Sequence, residues 1–565
     1  METNQKENIL SEVDELFDRD AKERRVLAQL LERYSNQQGK YLATRGEMGT
    51  HHAANNKTFR TPSFVVSHDL NWIATNLKMG SEMPFMQNYI NEETGHLEID
   101  ASNVEDLKQR QPDWSRQAAL TAYLLSDKTR KFGTILAVIS PDWVDNAEHE
   151  YWGMDGRALR SAANFDTLDV SGRVGMLNLE NTLVYALDGQ HRVMGLRGIK
   201  DLLENNFRLK NRSGDEVKRI GREEFLGEYG VDVNVLQTMM SERMHVEYIP
   251  AVLPGETRNE GSRRVRSVFV AINSQAKMPK KGENYLLDEI DGYALVARRV
   301  GVSHPIFKGN GKSRINWKSS ALPERSEWYT TLEALKDMTQ NFLFHSDKVL
   351  AKAWTPPFGL KDQTLRPSEE ALDSATNKVK EFFDRVWQLP VFQTLERSNN
   401  LPLELGNYRA FPEKTSTTEH GHLLLRPIGQ IILANAVGQL VGGNPEKQIQ
   451  PMTLDDIFSA ITLLDKNGRF EAHLPTNVWY GVTYNFHKNK MDTGISNREL
   501  AVDLLIYLIQ GADEVKRREL LQKVIKYREI EGQWRSFNGG KMLPIDRDSD
   551  GAILVKDHNL PLPKN

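Results

Sequence analysis

Apolar residues fall along this chain in two alternating rhythms. Short unbroken runs, Phe64-Val65-Val66, Thr134 to Ile139, Leu183 to Leu187 and His245 to Leu253, have the length and β-branched content of strands. Between them apolar residues recur at three- and four-residue steps, which predicts helices over Leu70 to Leu77, Trp114 to Leu125, Val193 to about Phe207, Val231 to Met240 and Val265 to Asn273. Strand, crossover helix and strand in succession are the ingredients of an α/β layer. Ahead of it, Ile9 to Tyr34 reads as an amphipathic docking helix and Gly39 to Lys57 as a polar loop. Asp145 to Arg160 reads as an acidic, aromatic loop and Lys210 to Glu228 as a charged connection. From Trp328 onward the rhythm is helical: Trp328 to Phe344, Glu369 to Trp387, Leu423 to Leu440, Leu454 to Leu464, and Arg498 to Tyr527 as one helix or two. The tail from Ser536, rich in Gly, Asp, Pro and Lys, is expected to be loosely held.

A chain of 565 residues exceeds one ordinary core. The rhythms divide it into an N-terminal segment (1–58), an α/β core (59–345), a mostly α-helical C-terminal region (346–535) and a flexible tail (536–565). No apolar run reaches the length of a membrane helix, and the polar start Met1-Glu2-Thr3-Asn4 lacks a secretion signal, so a cytoplasmic protein without a membrane partner is expected. The absence of cysteine excludes disulfides, thiolate nucleophiles and Cys-ligated metals.

The most informative stretch is Asp188-Gly189-Gln190-His191-Arg192, where a strand turns into a helix on an Asp-Gly pair. Such a turn presents the unpaired N–H groups of Gln190, His191 and Arg192 at the positive end of a helix dipole, a place that suits phosphate. Arg192 can grip two oxygens through its fork, His191 adds a donor whose charge can follow the ligand, and Asp188 holds the turn or a metal. The plainer alternative is equally open: Asp188 as N-cap, His191 on the surface, Arg192 in a salt bridge.

The net charge of −4 argues against a basic nucleic-acid coat over the whole chain. Local clusters remain: Arg258, Arg263, Arg264 and Arg266; Lys277, Lys280 and Lys281; Lys308, Lys312, Arg314 and Lys318. These are either a footprint for a DNA backbone or solvated faces. Gly309-Asn310-Gly311-Lys312-Ser313 lacks the leading glycine and the strand-to-helix setting of a P-loop. His420-Gly421-His422 has no carboxylate pair nearby in sequence and is not expected to hold metal, and no carboxylate cluster supports a two-metal nuclease.

The pentapeptide is the signature of the DGQHR-domain family. The order of Arg116 before Tyr123-Leu124, the strand Thr134 to Ile139, the signature, the strand His245 to Leu253, Val268 to Ala276, and Asn316 to Ser320 follows it. The chain thus resembles the DndB-like DGQHR proteins of DNA sulfur modification over roughly residues 60 to 345. That family is similar in turn to the ParB and sulfiredoxin superfamily, in which a Gly-x-His-Arg turn at a helix start binds nucleoside triphosphate. The resemblance implies an α/β (α+β) ParB/sulfiredoxin-like core with the helical region appended, and ATP or another triphosphate with Mg²⁺ as cofactor. It also implies DNA, and other proteins of a modification, restriction-like or anti-phage locus, as partners; self-association is left open. In that scheme Gly189, Gln190, His191, Arg192, Arg116 and Asn273 bind the nucleotide, and Asp188, His191 and Arg192 would serve a slow hydrolysis. Arg263, Arg264, Arg266, Lys277, Lys280, Lys281, Lys312 and Arg314 would face DNA. Two other readings stand beside it: a nucleotide-independent DNA-binding regulator, and a scaffold recruiting modification enzymes.

Overall fold

The computed structural model describes residues 39–52, 58–83, 113–275, 281–309, 312–360, 365–411, 420–547, 553–554 and 560–563, with five positions between 21 and 29. The amphipathic segment Ile9 to Tyr34 falls almost wholly outside them. The chain divides into two compact units, Met1–Lys277 and Met278–Asn565, so the division lies inside the segment expected as one core. Mixed α/β structure results, with 17 α-helices among the described residues. None of these helices is long and apolar enough to cross a membrane.

The first unit is built on an eight-stranded mixed sheet. Its strands are β1 (Lys40–His52), β2 (Thr58–Asp69), β3 (Leu77–Met79), β4 (Ile135–Pro141), β5 (Asn164–Thr167), β6 (Val174–Asn178) and β7 (Thr182–Asp188). A hairpin of β8 (Arg208–Lys210) and β9 (Glu216–Arg219) stands apart, and β10 (Arg243–Pro250) completes the sheet in the order β3-β7-β4-β10-β2-β1-β6-β5. β3 runs parallel to β7 and β10 to β4; every other neighbouring pair is antiparallel. The segment expected as a polar loop is, over residues 40–52, the long strand β1, and 53–57 lie outside the described residues. Among its described side chains only Ala43 is buried, which suits polar residues, and its backbone pairs with β2 on one side and β6 on the other.

Burial explains the sequence rhythms. β4 is buried at every position from Ile135 to Ser140, as a strand covered on both faces must be. β2 alternates, burying Phe64, Val66 and His68, as a strand covered on one face does. The helices of this unit are α1 (Leu70–Asn76), α2 (Gln117–Ser126), α3 (Gln190–Leu203), α4 (Arg222–Tyr229), α5 (Val233–Met239) and α6 (Arg258–Gln275). Leu136, Val138, Tyr185, Leu187 and Ile249 form one cluster with Val265 of α6, and α3 contributes nothing to it. α3 packs instead on α2, and two glycines set how closely. A Cβ at Gly195 would lie 2.9 Å from Leu120 Cβ, and one at Gly198 would collide with the Thr121 hydroxyl, which donates to the Gly195 carbonyl at 3.1 Å.

The longer helices of the second unit are α7 (Gly292–Ser303), α8 (Leu332–Ser346), α9 (Glu369–Trp387), α10 (Pro427–Gly442), α11 (Leu454–Lys466), α12 (Ile495–Gln510) and α13 (Glu514–Arg528). Short strands lie among them, including Gln533–Arg535 paired with Met542–Pro544. That pairing overturns the expectation of a loose tail for the described part: Ser536, Ile553 and Leu560 are buried, the last two in the core of the unit.

Candidate functional site

The site is built where β7 ends. Between Leu136 and Ala137 the β4–β7 register shifts by a bulge, and Asp188 comes to lie opposite Leu136. A bulge lets a strand leave its ladder and re-aim the chain. Gly189 then turns with φ +90°, a left-handed conformation that a side chain disfavours. Its space is closed as well, since a Cβ there would sit 3.0 Å from Arg192 Nη1 and 3.1 Å from Ile135 Cγ1. Gly189, and not Asp188, is the N-cap of α3, and no side chain caps the helix.

The backbone at the start of α3 is only partly satisfied. The N–H of Arg192 donates to the Gly189 carbonyl at 2.9 Å and that of Val193 to the same oxygen at 3.1 Å. This corrects the sequence expectation of three free amides: the tight first turn uses the third internally. The N–H groups of Gln190 and His191 make no hydrogen bond to a described residue, and Gln190 Oε1 is buried without a partner. Two adjacent helix amides at the positive end of the dipole thus have no acceptor among the described residues.

The charged residues around the turn are arranged differently from a simple clamp. Arg192 folds back across Gly189: its Nη1 donates to the Thr134 carbonyl at 2.9 Å and meets Asp188 Oδ2 at 3.5 Å. It ties the end of β7 to the start of β4, and the salt-bridge alternative for Arg192 is the geometry found. His191 Nε2 accepts the Asp113 N–H at 3.4 Å. Burial first, then the nearby Arg116 charge, lower its pKa against the opposing pull of Asp113 and Asp188, so the ring is mainly neutral at neutral pH. An arriving anion would favour its protonation. Arg116 sits in the turn Trp114–Arg116 that leads into α2, is exposed, and has no ion pair among the described residues. The Trp114–Arg116 turn packs against α3, and its N-cap Asp113 donates to His191, so the structure places Arg116 on the same side of the turn as the imidazole.

Beside the turn lies a cleft of about 400 Å³ that sequence reasoning missed. Gly133, Thr134 and Leu196 place it next to Arg192, and Lys131, Arg243 and His245 give it a basic rim. Arg130 also lines it but is paired with Glu242. These residues come from the α2–β4 loop and the start of β10, segments far apart in the chain, so no local pattern announces them.

The other expected site residues scatter. Asn273 belongs to α6, which joins the cluster that α3 leaves alone, and its side chain lies outside the described residues. Arg264 is no DNA-facing cation. Its Nε meets Glu256 Oε1 at 2.7 Å, and its Nη2 meets Glu256 Oε2 at 3.0 Å and the Pro250 carbonyl at 2.9 Å, inside the fold. Arg314 is likewise engaged, by both Glu396 oxygens and by the Tyr329 ring at 4.8 Å. Arg258 pairs with Asp145, Lys312 with Glu327, and Arg266 is half-buried. Arg263 is exposed. Lys277 and Lys280 fall outside the described residues, as does the side chain of Lys281. His422 meets Asp465 at 2.9 Å and His420 meets Glu471 at 3.6 Å; among the described residues no three potential ligands gather around a metal position.

No curated protein and no solved structure gave a match. A family model does match: DndB, DNA-sulfur modification-associated, over residues 75–405. The matched segment holds Arg116, the bulged β4–β7 pair, the Gly189 turn and all of the cleft lining except Leu70, and covers more than half of the chain. The chain belongs to the DndB family of DNA-sulfur modification-associated proteins.

Proposed function

We propose that the β7–α3 turn binds the phosphates of a nucleoside triphosphate, ATP with Mg²⁺, and that its occupancy governs how the protein engages DNA at a modification or defence locus. The observation that carries this is the pair of amides of Gln190 and His191, which have no partner among the described residues, with Arg116, which has no ion pair among them, on the neighbouring turn. Helix-start amides with a nearby guanidinium are a chemically sufficient anion site. The cleft supports a ligand larger than phosphate alone, because its basic rim surrounds an apolar lining of Leu70, Leu124, Phe132 and Leu196. Asp188 fits a Mg²⁺ role, since its contact with Arg192 is a long one and its side chain is a third exposed. Family membership supports a role in DNA sulfur modification, and the exposed Arg263 is a cation available to a phosphate backbone.

The test is calorimetry of Mg²⁺·ATP on the full chain, on Arg116→Ala and on Gly189→Val, each with and without duplex DNA, with phosphate release followed in parallel. Stoichiometric binding that Gly189→Val removes and Arg116→Ala weakens is expected. Phosphate release above background would add turnover to binding. A wild type that binds no nucleotide overturns the reading; DNA affinity that then falls steeply with salt leaves the nucleotide-independent regulator, and no DNA affinity leaves the scaffold.

A further inference from the structure

The second unit has a groove of about 550 Å³ whose floor is one face of α10, at Ile431, Asn435 and Gln439, and whose walls are α8 and α12. Glycines hold the floor against one wall: a Cβ at Gly438 would lie 2.8 Å from the Phe342 carbonyl oxygen. Side-chain amides run across the groove in a fixed polarity. Asn341 Nδ2 donates to the Asp337 carbonyl at 2.8 Å, Asn435 Nδ2 to Asn341 Oδ1 at 2.6 Å, and Gln439 Nε2 to Asn435 Oδ1 at 2.6 Å. Because each amide uses its N–H₂ to reach the previous oxygen, the relay ends on an acceptor. That acceptor, Gln439 Oε1, is buried and has no partner, in a residue only 6% exposed.

A buried, unpaired carbonyl oxygen destabilises the fold unless a donor meets it. The groove offers the rest of a binding surface. Phe344, Ile495 and Val502 supply apolar contact for a ring. His345 lines the same end as Gln439, and after burial the charges of Lys348 and Lys447 push its imidazole down to about 4, which marks that end as electropositive. Lys447 has only a 3.6 Å contact with Asp503. On the opposite wall Arg498 has no ion pair among the described residues, and its Nε is buried without a partner. Of the two carboxylates in the lining, Asp337 lies two turns from His345 along α8, about 12 Å away, and Glu499 neighbours Arg498.

We propose that this groove binds a nucleotide carrying an exocyclic amino group, the amine donating to Gln439 Oε1 and the phosphate lying toward Lys447 and Lys348. The amino-bearing base and its phosphate can belong to a free mononucleotide or to a residue of a nucleic-acid strand. The site lies wholly within the second unit and stands or falls independently of the β7–α3 turn. AMP, IMP and a short single-stranded oligodeoxyadenylate are titrated into the full-length Gly189→Val protein, so that binding at the turn does not contribute. AMP should bind at least about tenfold more tightly than IMP, whose oxygen at the same position would face an acceptor. Gln439→Met should abolish that preference, and Lys447→Ala, at an exposed residue, should weaken AMP and IMP alike. Tighter binding of the oligonucleotide assigns the groove to a strand, and tighter binding of AMP to a free nucleotide. Failure of all three probes to bind, equal affinity for AMP and IMP, or a preference that survives Gln439→Met in a folded protein overturns the proposal.

Discussion

Arginine does opposite work in the two units. Around the β7–α3 turn, Arg116 and Arg192 stand partly in solvent, one without an ion pair among the described residues and the other tying a turn through a single carbonyl and a long carboxylate contact. In the second unit Arg528 and Arg409 are almost wholly buried, and no carboxylate pairs with either among the described residues. Arg528 instead donates to the carbonyls of Tyr480 and Pro475 at 2.9 Å, of Arg535 at 3.2 Å, and of Asn477, with the Phe537 ring 4.1 Å from its guanidinium carbon. Arg409 gathers the carbonyls of Leu425, Trp328 and Pro323 in the same way. Burial pushes Arg528 down to about 9 and Arg409 to about 10, values at which both stay charged at neutral pH. A charged fork surrounded by carbonyls is a fastener for loops that have no ladder of their own, whereas an exposed, unpaired one is held ready for a ligand.

The largest effect expected from breaking this contrast is at the buried end. Arg528→Leu leaves four carbonyls without their donor and should cost the second unit about 3 kcal/mol or more. Hydrogen exchange would read this as lost protection in α13 and the strands after it, with α3 unaffected. Unchanged protection there would mean that the carbonyls find other donors and that the fastener is dispensable.

Next in size is the seam that positions Arg116. Gly198→Val drives a side chain into the Thr121 hydroxyl and toward Phe207 Cε2, which would lie only 3.2 Å from the new Cβ. Overpacking of this kind costs about 1–3 kcal/mol. By displacing α2 it should also weaken anion binding at the turn. Thr121→Ala in the same chain should restore part of both, and a denaturation and binding cycle on the four proteins measures the coupling. Strictly additive effects would show that α2 and α3 do not meet through this pair.

The comparison also explains what could be read from the sequence. The strand, the Asp-Gly turn and α3 were legible because the apolar run Leu183 to Leu187, the glycine at φ +90° and the spacing of Val193, Leu196 and Ile199 are all local. The helix Glu369–Trp387 was legible to the residue for the same reason, with Ser368 capping it. β1 was not, because its strand character comes from its neighbours: a polar segment with Gly46 and Gly49 acquires order only through the ladders of β2 and β6. Nor were the roles of the arginines. Arg264 lies only eight residues from Glu256, but Arg314 meets Glu396 across 82, and Arg528 takes its carbonyls from loops up to 53 residues away. A cluster of positive residues in sequence therefore says little about which of them faces solvent.

A smaller effect concerns acid. His68 stacks on Trp72 at 3.7 Å and shares a 2.9 Å hydrogen bond with the Tyr248 hydroxyl. Burial, and then Arg243, push it down to about 3. The unfolded chain takes up a proton near pH 6.5 while the folded one resists, so stability is full above 6.5 and falls as the pH drops toward 3. Between pH 7 and pH 5.5 this group should cost about 1 kcal/mol, seen as a lower urea midpoint. His68→Gln should lose less over the same interval, and an equal loss would assign the acid sensitivity to other groups.

The smallest change in stability, and the sharpest test of the contrast, is at Arg116. An exposed guanidinium that pairs with none of the described residues adds little to the fold, so Arg116→Ala should leave stability within about 0.5 kcal/mol. Two other readouts should move. Removing the charge that disfavours imidazolium should raise the titration midpoint of His191, visible in an NMR titration of the histidines, because burial and then the nearby Arg116 guanidinium hold it below its usual value. Loss of one charge-assisted contact should also weaken phosphate-bearing ligands at the turn by about tenfold. If His191 shifts and binding does not, Arg116 tunes the histidine without touching the ligand, and the anion is held by the two helix amides alone. If neither moves, the guanidinium lies outside the site, and the exposed arginine of the first unit has no more to do with a ligand than the buried ones of the second.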